Sequence, residues 1–361
     1  MKNNFLFKIL LLIFTLTLAF TPKITSAQDK QLVILDSDMV DLFDDGVAMM
    51  MLATEPNIKL LGVTISTGND WSEYGTASAI RQLEGLGIKD LPVAMGTTPE
   101  YIKTRLKNLD EEFEKYGRGF DMHIGAAGYE EPSDWYSAYM SKYKSKPKLK
   151  PINESAVDFI IRTIKNYPNQ VTIVEIGPQT NLAAAIEKDP EIVPLVKRVV
   201  YMAGAFFKEG NVTPVAEFNV WFDPISAKKV IRAPFKEQIF LPLDACGTVF
   251  LNREEFNELK SKVSSKIFKQ MIERLEKSNY IFNGADYFFI WDVLVSSVIV
   301  DPSVITESVT IPVDVNDVIS PSYGETLAYR IPPRGAQTAD IILKVDEEKV
   351  KKLIFNLFDK L

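Results

Sequence analysis

Short, almost wholly apolar runs alternate along the chain with longer segments in which apolar residues recur every three or four positions. The apolar runs occupy residues 31–35 (QLVIL), 58–65 (IKLLGVTI), 171–176 (VTIVEI) and 196–202 (VKRVVYM). The helical periodicity occupies residues 46–54, 76–86, 155–166 and 181–188. Strands that are apolar along their whole length are typical of sheets covered on both faces. The alternation therefore predicts an α/β fold with a Rossmann-like, open, mainly parallel sheet and helices on both faces.

The carboxyl ends of these strands are the expected place for a ligand, because open parallel sheets bind ligands there. The residues that follow positions 35, 65, 176 and 202 are predicted to surround one crevice. Residues 103–150 are charged and less periodic, which indicates an insertion near that crevice. The pattern also predicts a short extended segment at 91–95, a helical stretch at 253–283 and an amphipathic terminal helix at 346–360. With no repeat or long linker in the sequence, a single domain is expected over residues 28–361.

The first 27 residues have the pattern of a signal peptide. Lys2 and Lys8 flank a basic start, residues 9–20 form an apolar run, and Thr25-Ser26-Ala27 supplies the small residues that a signal peptidase recognises. We expect cleavage after Ala27 and export to a periplasm or to the outside. The alternative is an uncleaved membrane anchor. No second run is long enough to span a bilayer, so no membrane association is expected after cleavage.

Charge and residue inventory restrict the partners and the metals. The formal net charge is −7, which argues against a nucleic-acid polymer as a partner. A structural zinc site needs four nitrogen or sulfur ligands, whereas the chain has a single cysteine, Cys246, and a single histidine, His123. A metal in this protein is therefore expected to have oxygen ligands, as Ca²⁺ and Mg²⁺ do.

Five carboxylates follow directly on the first predicted strand, within residues 36–45 (DSDMVDLFDD). Like charges repel strongly where the dielectric constant is low, so a packed cluster of this kind normally requires a cation. Asp44 and Asp45 also stand at the start of a predicted helix, where the backbone favours negative charge. The run predicts a divalent cation at the end of the first strand.

Further motifs follow this run in a fixed order. They are Gly68-Asn69, residues 177–181 (GPQTN), residues 202–204 (MAG), Gly210-Asn211, residues 216–219 (AEFN) with Asp223-Pro224, and Trp291-Asp292. From about residue 33 to 302 the chain resembles the inosine-uridine-preferring nucleoside hydrolase family. The resemblance implies an enzyme that hydrolyses the N-glycosidic bond of ribonucleosides to free base and ribose, and a homodimer or homotetramer. With export, it implies scavenging of nucleosides, as in purine salvage.

The resemblance also implies roles for individual residues. Ca²⁺ would be held by Asp38, Asp45, the backbone carbonyl of Thr180, and Asp292, with Asp36 supporting the ligands. Asp38 would take the proton of the calcium-bound water. Asp44 and Asn69 would bind the ribose 2′- and 3′-hydroxyls. The remaining substrate-binding residues would be Met202 at the sugar face, Asn211, Glu217 and Asn219 at the 5′-hydroxymethyl group, and Phe218.

Residues 216–219 are expected to be extended, so that Glu217 and Asn219 point to the same side and Phe218 elsewhere.

Protonation of the departing base is where the sequence departs from part of the family. Many members have a histidine immediately before the last calcium-binding aspartate, and this chain has Trp291 there. One hypothesis is that Trp291 stacks on the base and favours purines, while solvent or a loop residue supplies the proton. The other is that His123 reaches the site from the insertion and acts as the acid. Trp71 and Trp135 are further candidates for stacking.

Two other functional classes compete with the hydrolase. Residues 36–40 (DSDMV) also fit the DxDx[TV] signature of haloacid-dehalogenase-like phosphatases, with Asp36 as nucleophile and magnesium alongside. That interpretation leaves Asp44, Asp45 and the later motifs without roles. A non-catalytic, calcium-dependent protein that binds nucleosides or sugars is the second alternative. The retained Asp38 favours the hydrolase, since binding alone has less need of a proton acceptor.

Overall fold

A nine-stranded sheet occupies the centre of the described structure, a computed structural model that describes residues 30–118, 123–278, 282 and 284–361. Residues 31–361 form one compact unit. The predicted signal peptide, residues 1–27, lies outside the described residues. The strands of the sheet are β1 (Gln31–Ser37), β2 (Ile58–Ile65), β3 (Val93–Met95), β4 (Val171–Glu175), β5 (Arg198–Tyr201), β6 (Gln238–Phe240), β9 (Ile305–Val315), β10 (Thr326–Ala328) and β11 (Gln337–Val345). A separate antiparallel pair is formed by β7 (Phe250–Asn252) and β8 (Tyr287–Phe289).

The order of the strands in the sheet is β10-β9-β11-β6-β5-β4-β1-β2-β3. The seven strands from β11 to β3 are parallel, and β9 and β10 add an antiparallel edge. The chain runs outward from β1 to β3 and then returns to the other side of β1 with β4. This reversal is the topological switch point at which such sheets bind ligands.

Helices cover both faces. They are α1 (Asp45–Thr54), α2 (Ser72–Leu86), α3 (Glu100–Leu106), α4 (Leu109–Tyr116), α5 (Trp135–Tyr143), α6 (Ala156–Asn166), α7 (Thr180–Lys188), α8 (Phe218–Phe222), α9 (Pro224–Ile231), α10 (Leu243–Cys246), α11 (Arg253–Lys262), α12 (Lys266–Ser278), α13 (Trp291–Val300) and α14 (Glu347–Phe358). Short 3₁₀ turns lie at Gly125–Gly128, Pro190–Leu195 and Pro302–Val304. In the described ranges, no helix is long and apolar enough to cross a bilayer.

The core is divided by the sheet into two layers. Leu35 and Val174 are register partners whose side chains belong to the layer under α1 and α13, while Ile34 and Ile173 pair in the layer under α6 and α7. All four are fully buried. Burying one such side chain contributes about 1.5–3 kcal/mol, so the alternation of the two layers fixes the strand register. The register in turn determines which residues follow the carboxyl end of each strand at the crevice.

The predicted α/β fold with its mainly parallel sheet is confirmed, and the differences lie at element ends. Helix α2 begins at Ser72 instead of residue 76. The stretch predicted at 253–283 consists of two helices, because α11 ends before Val263 and α12 begins at Lys266. The insertion predicted at 103–150 contains α4, α5 and a 3₁₀ turn, and residues 119–122 lie outside the described residues.

Candidate active site

The loop between β1 and α1 carries the aspartate run. Leu42 and Phe43 adopt positive φ angles of 49° and 59°, a conformation that costs non-glycine residues about 1–3 kcal/mol each. Both side chains are nevertheless buried, at 3% exposure. The Phe43 ring packs against Phe256 and Phe358, with centroids 4.9 and 5.8 Å away. Core packing therefore offsets the strain and holds the loop in a tight turn between Asp38 and Asp44.

Asn69, which follows β2, connects three of the predicted site residues. Its backbone N–H donates to Asp38 Oδ2 at 2.7 Å. Its side-chain Nδ2 donates to Asp45 Oδ2 at 3.4 Å, and its Oδ1 shares a hydrogen bond of 2.9 Å with Nε2 of His123. The structure thus brings together the ends of β1 and β2 and the insertion that carries the lone histidine.

The start of α13 closes the opposite side of the site. The backbone N–H of Asp292 donates to Asp44 Oδ1 at 2.8 Å. Trp291, the first residue of this helix, stacks on Phe289 with ring centroids 5.7 Å apart and planes at 14°. Asp292 is 96% buried, whereas Trp291 is partly exposed although its Nε1 is buried.

Two glycines allow the loops after β2 and β4 to approach Asp38. A Cβ atom on Gly68 would lie 2.2 Å from Asp38 Oδ2 and 2.7 Å from Pro178 Cδ. A Cβ atom on Gly177 would lie 2.7 Å from the backbone N of Asp38. Any larger residue at either position would push these loops away from the carboxylate. The glycines of the Gly68-Asn69 and GPQTN motifs are therefore required by close packing around Asp38.

The four carboxylates of the site all have raised pKa values, because an ionised carboxylate is less stable in a buried site than in water. Burial and the neighbouring Asp45 carboxylate raise the pKa of Asp38 and of Asp44 well above the ordinary value of 3.8. Burial raises the pKa of Asp45 to about 6. Burial and repulsion by Asp44, Asp45 and Asp38 raise the pKa of Asp292. Mutual repulsion of this kind is relieved by a cation bound among the carboxylates.

The donor chemistry of the site fits calcium. Asp38 Oδ1 is buried and has no hydrogen-bond partner in the described structure, so one ligand oxygen is unused. The other donors within reach of the crevice are carboxylate, amide and hydroxyl oxygens, which hard cations prefer. In the described ranges, no group of three or more Asp, Glu, His or Cys side chains is arranged so that it could hold a metal ion. The three predicted carboxylate ligands, Asp38, Asp45 and Asp292, would therefore have to rearrange around the ion when it binds.

Comparison with known proteins identifies the family. Residues 33–352 match the family described as inosine-uridine preferring nucleoside hydrolase. The chain belongs to this family. The predicted resemblance is therefore confirmed, and the family relation extends beyond the motifs to almost the whole described chain.

Three relatives illustrate the family. A probable uridine nucleosidase 2 of Arabidopsis thaliana is 32% identical over 200 residues, covering 55% of this chain and 55% of that protein. The pyrimidine-specific ribonucleoside hydrolase RihA of Escherichia coli is 31% identical over 201 residues, covering 56% of this chain and 57% of that protein. The structure of a purine-preferring ribonucleoside hydrolase from Gardnerella vaginalis has a TM-score of 0.69 at 24% identity, covering 91% of this chain and 99% of that chain. The sequence matches thus span little more than half the length of the curated relatives, and the structural match shows the fold.

Thr180 of this nucleoside hydrolase family member is held from behind by the side chain of Asp223. Thr180 begins α7, and its Oγ1 donates to Asp223 Oδ2 at 3.0 Å. The hydroxyl of Tyr101 in α3 donates to the same carboxylate, 3.0 Å from either oxygen. The Asp-Pro motif therefore fixes the residue whose carbonyl is the predicted metal ligand.

Asp36 lies below the crevice, on the other face of the sheet. It is fully buried and accepts hydrogen bonds from Thr64 Oγ1 at 2.6 Å and Asn181 Nδ2 at 3.0 Å. Burial raises its pKa to about 7. Both oxygens of Asp36 are occupied by hydrogen bonds from Thr64 and Asn181, which argues against Asp36 as the nucleophile of a phosphatase. Its position agrees with the supporting role that the resemblance implies.

The expected extended conformation of residues 216–219 is wrong. Glu217 caps the N-terminus of α8, because its Oε1 accepts the backbone N–H of Asn219 at 2.8 Å and its Oε2 that of Val220 at 3.3 Å. Burial raises the pKa of Glu217 to about 7. Asn219 Nδ2 donates to the carbonyls of Ile176 and Met202, at 3.2 and 3.0 Å. These bonds join the ends of β4 and β5 to α8.

The remaining predicted residues divide between the site and the packing around it. Phe218 lies beside His123, with ring centroids 5.1 Å apart. Asn211 accepts the backbone N–H of Phe218 at 2.9 Å, and Met202 is 98% buried in the core. Trp71 is 93% buried and its Nε1 donates to the carbonyl of Tyr129 at 2.9 Å.

Trp135 lines a surface cleft with α2 residues such as Ile80 and Leu83. Trp71 and Trp135 both pack against protein side chains, and a role in stacking on the base stays a prediction for each.

Sequence reasoning missed Gln82, which is fully buried beneath the aspartate run. Its side-chain Oε1 accepts the backbone N–H of Leu42 at 3.0 Å. A glutamine in a helix is ordinarily a solvated surface residue. The available signal was its spacing, since Gln82 follows the small residues Gly75 and Ser78 at seven and four positions and shares their buried helix face.

Proposed function

We propose that this protein hydrolyses the N-glycosidic bond of ribonucleosides, releasing free base and ribose, and that it does so with calcium. The observation that carries the proposal is the junction at Asn69, which contacts Asp38, Asp45 and His123 directly. The residues proposed as proton acceptor, metal ligand and proton donor thus all contact the same residue, Asn69. The family membership and the family's general dependence on a metal support the same assignment.

The chain's own residues have the following tasks in this proposal. Asp38 holds the attacking water through its unpartnered Oδ1 and takes its proton. Asp44 and Asn69 bind the ribose hydroxyls and fix the sugar above the carboxylates. Calcium, when bound by Asp38, Asp45, Asp292 and the Thr180 carbonyl, would orient the water and lower its pKa. The surrounding carboxylates stabilise the positive charge that develops on the ribose in an oxocarbenium-like transition state.

His123 is the better candidate for the acid that protonates the leaving base. It lies 2.9 Å from Asn69 Oδ1 and beside Phe218, so it is held at the edge of the ribose site. Trp291 occupies the position of the histidine that many family members have, and it can stack on the base but cannot donate to a ring nitrogen from its face. The two residues therefore have complementary tasks, His123 in protonation and Trp291 in binding.

Ribose release from inosine, adenosine, guanosine, uridine and cytidine is the primary test, with added calcium and after chelation. We expect chelator-sensitive release that Asp38→Asn lowers by about 10²–10⁴-fold. Asp158→Asn is the matched control, because Asp158 is an exposed carboxylate on α6 that pairs with Lys188. A folded, calcium-bound protein that releases no ribose from any nucleoside would instead support the non-catalytic binding protein.

The purine preference is proposed from Trp291 alone. Stacking of a base on an aromatic side chain contributes about 1–3 kcal/mol, and the larger purine ring gains more of it. The relatives named above include enzymes described as pyrimidine-specific and as purine-preferring, so the ratio of inosine to uridine turnover decides. Trp291→Ala is expected to raise KM for inosine more than for uridine. Faster turnover of uridine by the unchanged protein would refute the purine preference, and an equal change of KM for both substrates in Trp291→Ala would refute the stacking assignment.

A substrate with a good leaving group separates the task of His123 from a structural one. p-Nitrophenyl β-D-ribofuranoside releases p-nitrophenolate without protonation. We expect His123→Ala to lower kcat for inosine by at least about 10²-fold and to leave turnover of the p-nitrophenyl riboside nearly unchanged. An equal loss on both substrates would show that His123 acts only through Asn69.

Export and assembly are part of the proposal. Residues 1–27 predict a cleaved leader, and N-terminal sequencing of the protein from the culture medium or periplasm tests whether the mature chain begins at Gln28. Light scattering of the purified protein tests the homodimer or homotetramer that the family resemblance implies. Export would place the hydrolysis of nucleosides outside the cytosol, which suits scavenging.

A further inference from the structure

The loop that carries the metal-binding aspartates is held from below by one amide side chain. Gln82 in α2 is fully buried, and its Oε1 accepts the backbone N–H of Leu42 at 3.0 Å. Its Nε2 donates to the carbonyl of Val40 at 3.2 Å and lies 3.4 Å from the Sδ of Met39. One side chain therefore contacts three residues of the loop between Asp38 and Asp44.

The loop needs such a partner because its own backbone is strained. Leu42 and Phe43 both have positive φ angles, a conformation that residues other than glycine rarely adopt. The start of α1 also packs tightly on the glutamine, since a Cβ atom on Gly46 would lie 1.9 Å from Gln82 Oε1. The amide supplies the hydrogen bonds that a strand or a helix would otherwise provide, at the point where the chain reverses direction.

The outer side of the same loop is held by Asp41. Its Oδ1 accepts the hydroxyl of Tyr143 at 2.5 Å, and its Oδ2 accepts from Arg274 Nη2 at 3.1 Å. Lys142 Nζ lies 3.6 Å from Oδ1. Tyr143 and Lys142 belong to α5, and Arg274 belongs to α12. Asp41 thus ties the loop to two helices that the sequence places about 100 and 230 residues further along the chain.

We propose that Gln82 and Asp41 are positioning residues that set the calcium affinity of the site. The inference rests on the proposed function, since it assumes calcium at Asp38, Asp45 and Asp292. The loop separates Asp38 from Asp45, so its conformation determines whether these two carboxylates converge. Loss of the contacts of either Gln82 or Asp41 lets the strained residues relax and moves the two ligands apart. Residues that orient metal ligands without touching the metal typically change metal affinity by about 10–100-fold when substituted.

Gln82→Met tests the hydrogen bonds of Gln82 with the loop, because methionine fills a similar volume without the amide. Gln238→Met is the matched control. Gln238 is also buried, with 3% exposure, its Nε2 donates to the carbonyl of Ile231 at 3.1 Å, and its Oε1 accepts the hydroxyl of Tyr201 at 2.8 Å. It lies in β6 on the face of the sheet opposite to α1. A loss of buried amide hydrogen bonds is common to both variants, whereas only Gln82 contacts the loop.

Calcium affinity of the metal-free, folded proteins is to be measured by isothermal titration calorimetry. We expect Gln82→Met to bind calcium at least about 10-fold more weakly than the wild type, and Gln238→Met to bind as the wild type does. Wild-type affinity in folded Gln82→Met overturns the assignment, and so does an equal loss in both variants. Absence of calcium binding by the wild type itself would instead refute the calcium part of the proposed function.

Asp41→Asn provides the second measurement if Gln82→Met does not fold. Asparagine keeps an oxygen for Tyr143 but loses the charge that pairs with Arg274. We expect weaker calcium binding, and the same change in Arg274→Met, with kcat recovering at saturating calcium. Lys260→Met is the control, because Lys260 in α11 pairs with Glu276 of α12 and makes no contact with Asp41. Unchanged calcium affinity in both Asp41→Asn and Arg274→Met overturns the assignment of Asp41 as a positioning residue.

Discussion

Asp45→Asn is expected to stabilise the metal-free protein while it abolishes metal binding. Asp45 is fully buried at the start of α1, and burial raises its pKa from 3.8 to about 6. A group whose pKa is raised on folding contributes stability that is fully present below its unfolded pKa. That contribution is lost as the pH rises through about 6. At pH 7 the ionised carboxylate therefore opposes folding.

The size of the effect follows from the pKa change and from two hydrogen bonds. The raised pKa corresponds to about 3 kcal/mol at pH 7. Asparagine keeps an oxygen to accept the hydroxyl of Ser37, now bonded at 2.6 Å. Its amide would face the Nδ2 of Asn69, so the 3.4 Å bond between these residues is lost, at a cost of about 1 kcal/mol. The expected net gain is about 2 kcal/mol at pH 7, and it disappears near pH 4.

Urea denaturation in chelator and in calcium measures both halves of the prediction. The wild type should gain about 2.7 kcal/mol when calcium is present at 100 times its dissociation constant, and Asp45→Asn should gain nothing. Asp158→Asn is the control, because its hydrogen bond with Lys188 lowers the pKa of this exposed carboxyl. The reasoning is refuted if Asp45→Asn destabilises the metal-free protein at pH 7, or if calcium still stabilises it.

Three further outcomes are expected. Gly68→Ala should lower calcium affinity and turnover, because its Cβ would lie 2.2 Å from Asp38 Oδ2. Gly128→Ala is the control and should match the wild type, because its Cβ would have no neighbour nearer than 3.7 Å. Calorimetry measures the calcium affinity of both variants, and ribose release measures their turnover. Metal-free protein should lose stability as the pH rises from about 4 to about 7, since burial raises the pKa of Asp36 and of Glu217 to about 7. A stability that rises over this range in chelator contradicts this. Tyr101→Phe should weaken calcium binding a few-fold, because Tyr101 donates to the Asp223 carboxylate that holds Thr180. Tyr129→Phe, at an exposed tyrosine, should not change it. Equal calcium affinities of the two variants would show that Tyr101 has no part in the site.

The fold and the centre of the site could be predicted from the sequence because both depend on local patterns. The apolar runs determine which segments are buried strands, and the parallel sheet then collects their carboxyl ends in one place. The aspartates at 36–45 and Asn69 follow two neighbouring strands, so their meeting was a consequence of topology. The motifs of the family resemblance added the distant Asp292, which no local pattern links to the aspartate run.

The errors arose where a contact distant in sequence decides a local conformation. Residues 216–219 alternate in polarity like an edge strand, but Glu217 accepts two backbone N–H groups and begins a helical turn. Its other partner, the backbone N–H of Gly204 at 2.9 Å, is thirteen residues away. Gln82 was missed for the same reason, because its role depends on a loop forty residues earlier. Neither partner can be recognised from periodicity.

The packing of Phe43 makes catalysis depend on side chains that do not contact the substrate. Its ring packs on Phe256, Phe288 and Phe358, which belong to α11, β8 and the terminal helix α14. A random mutagenesis screen scored by nucleoside cleavage would therefore recover hits at these aromatic positions and rank them with the aspartates. Selection for new substrates would do well to hold the four phenylalanines fixed and to vary the mouth of the crevice.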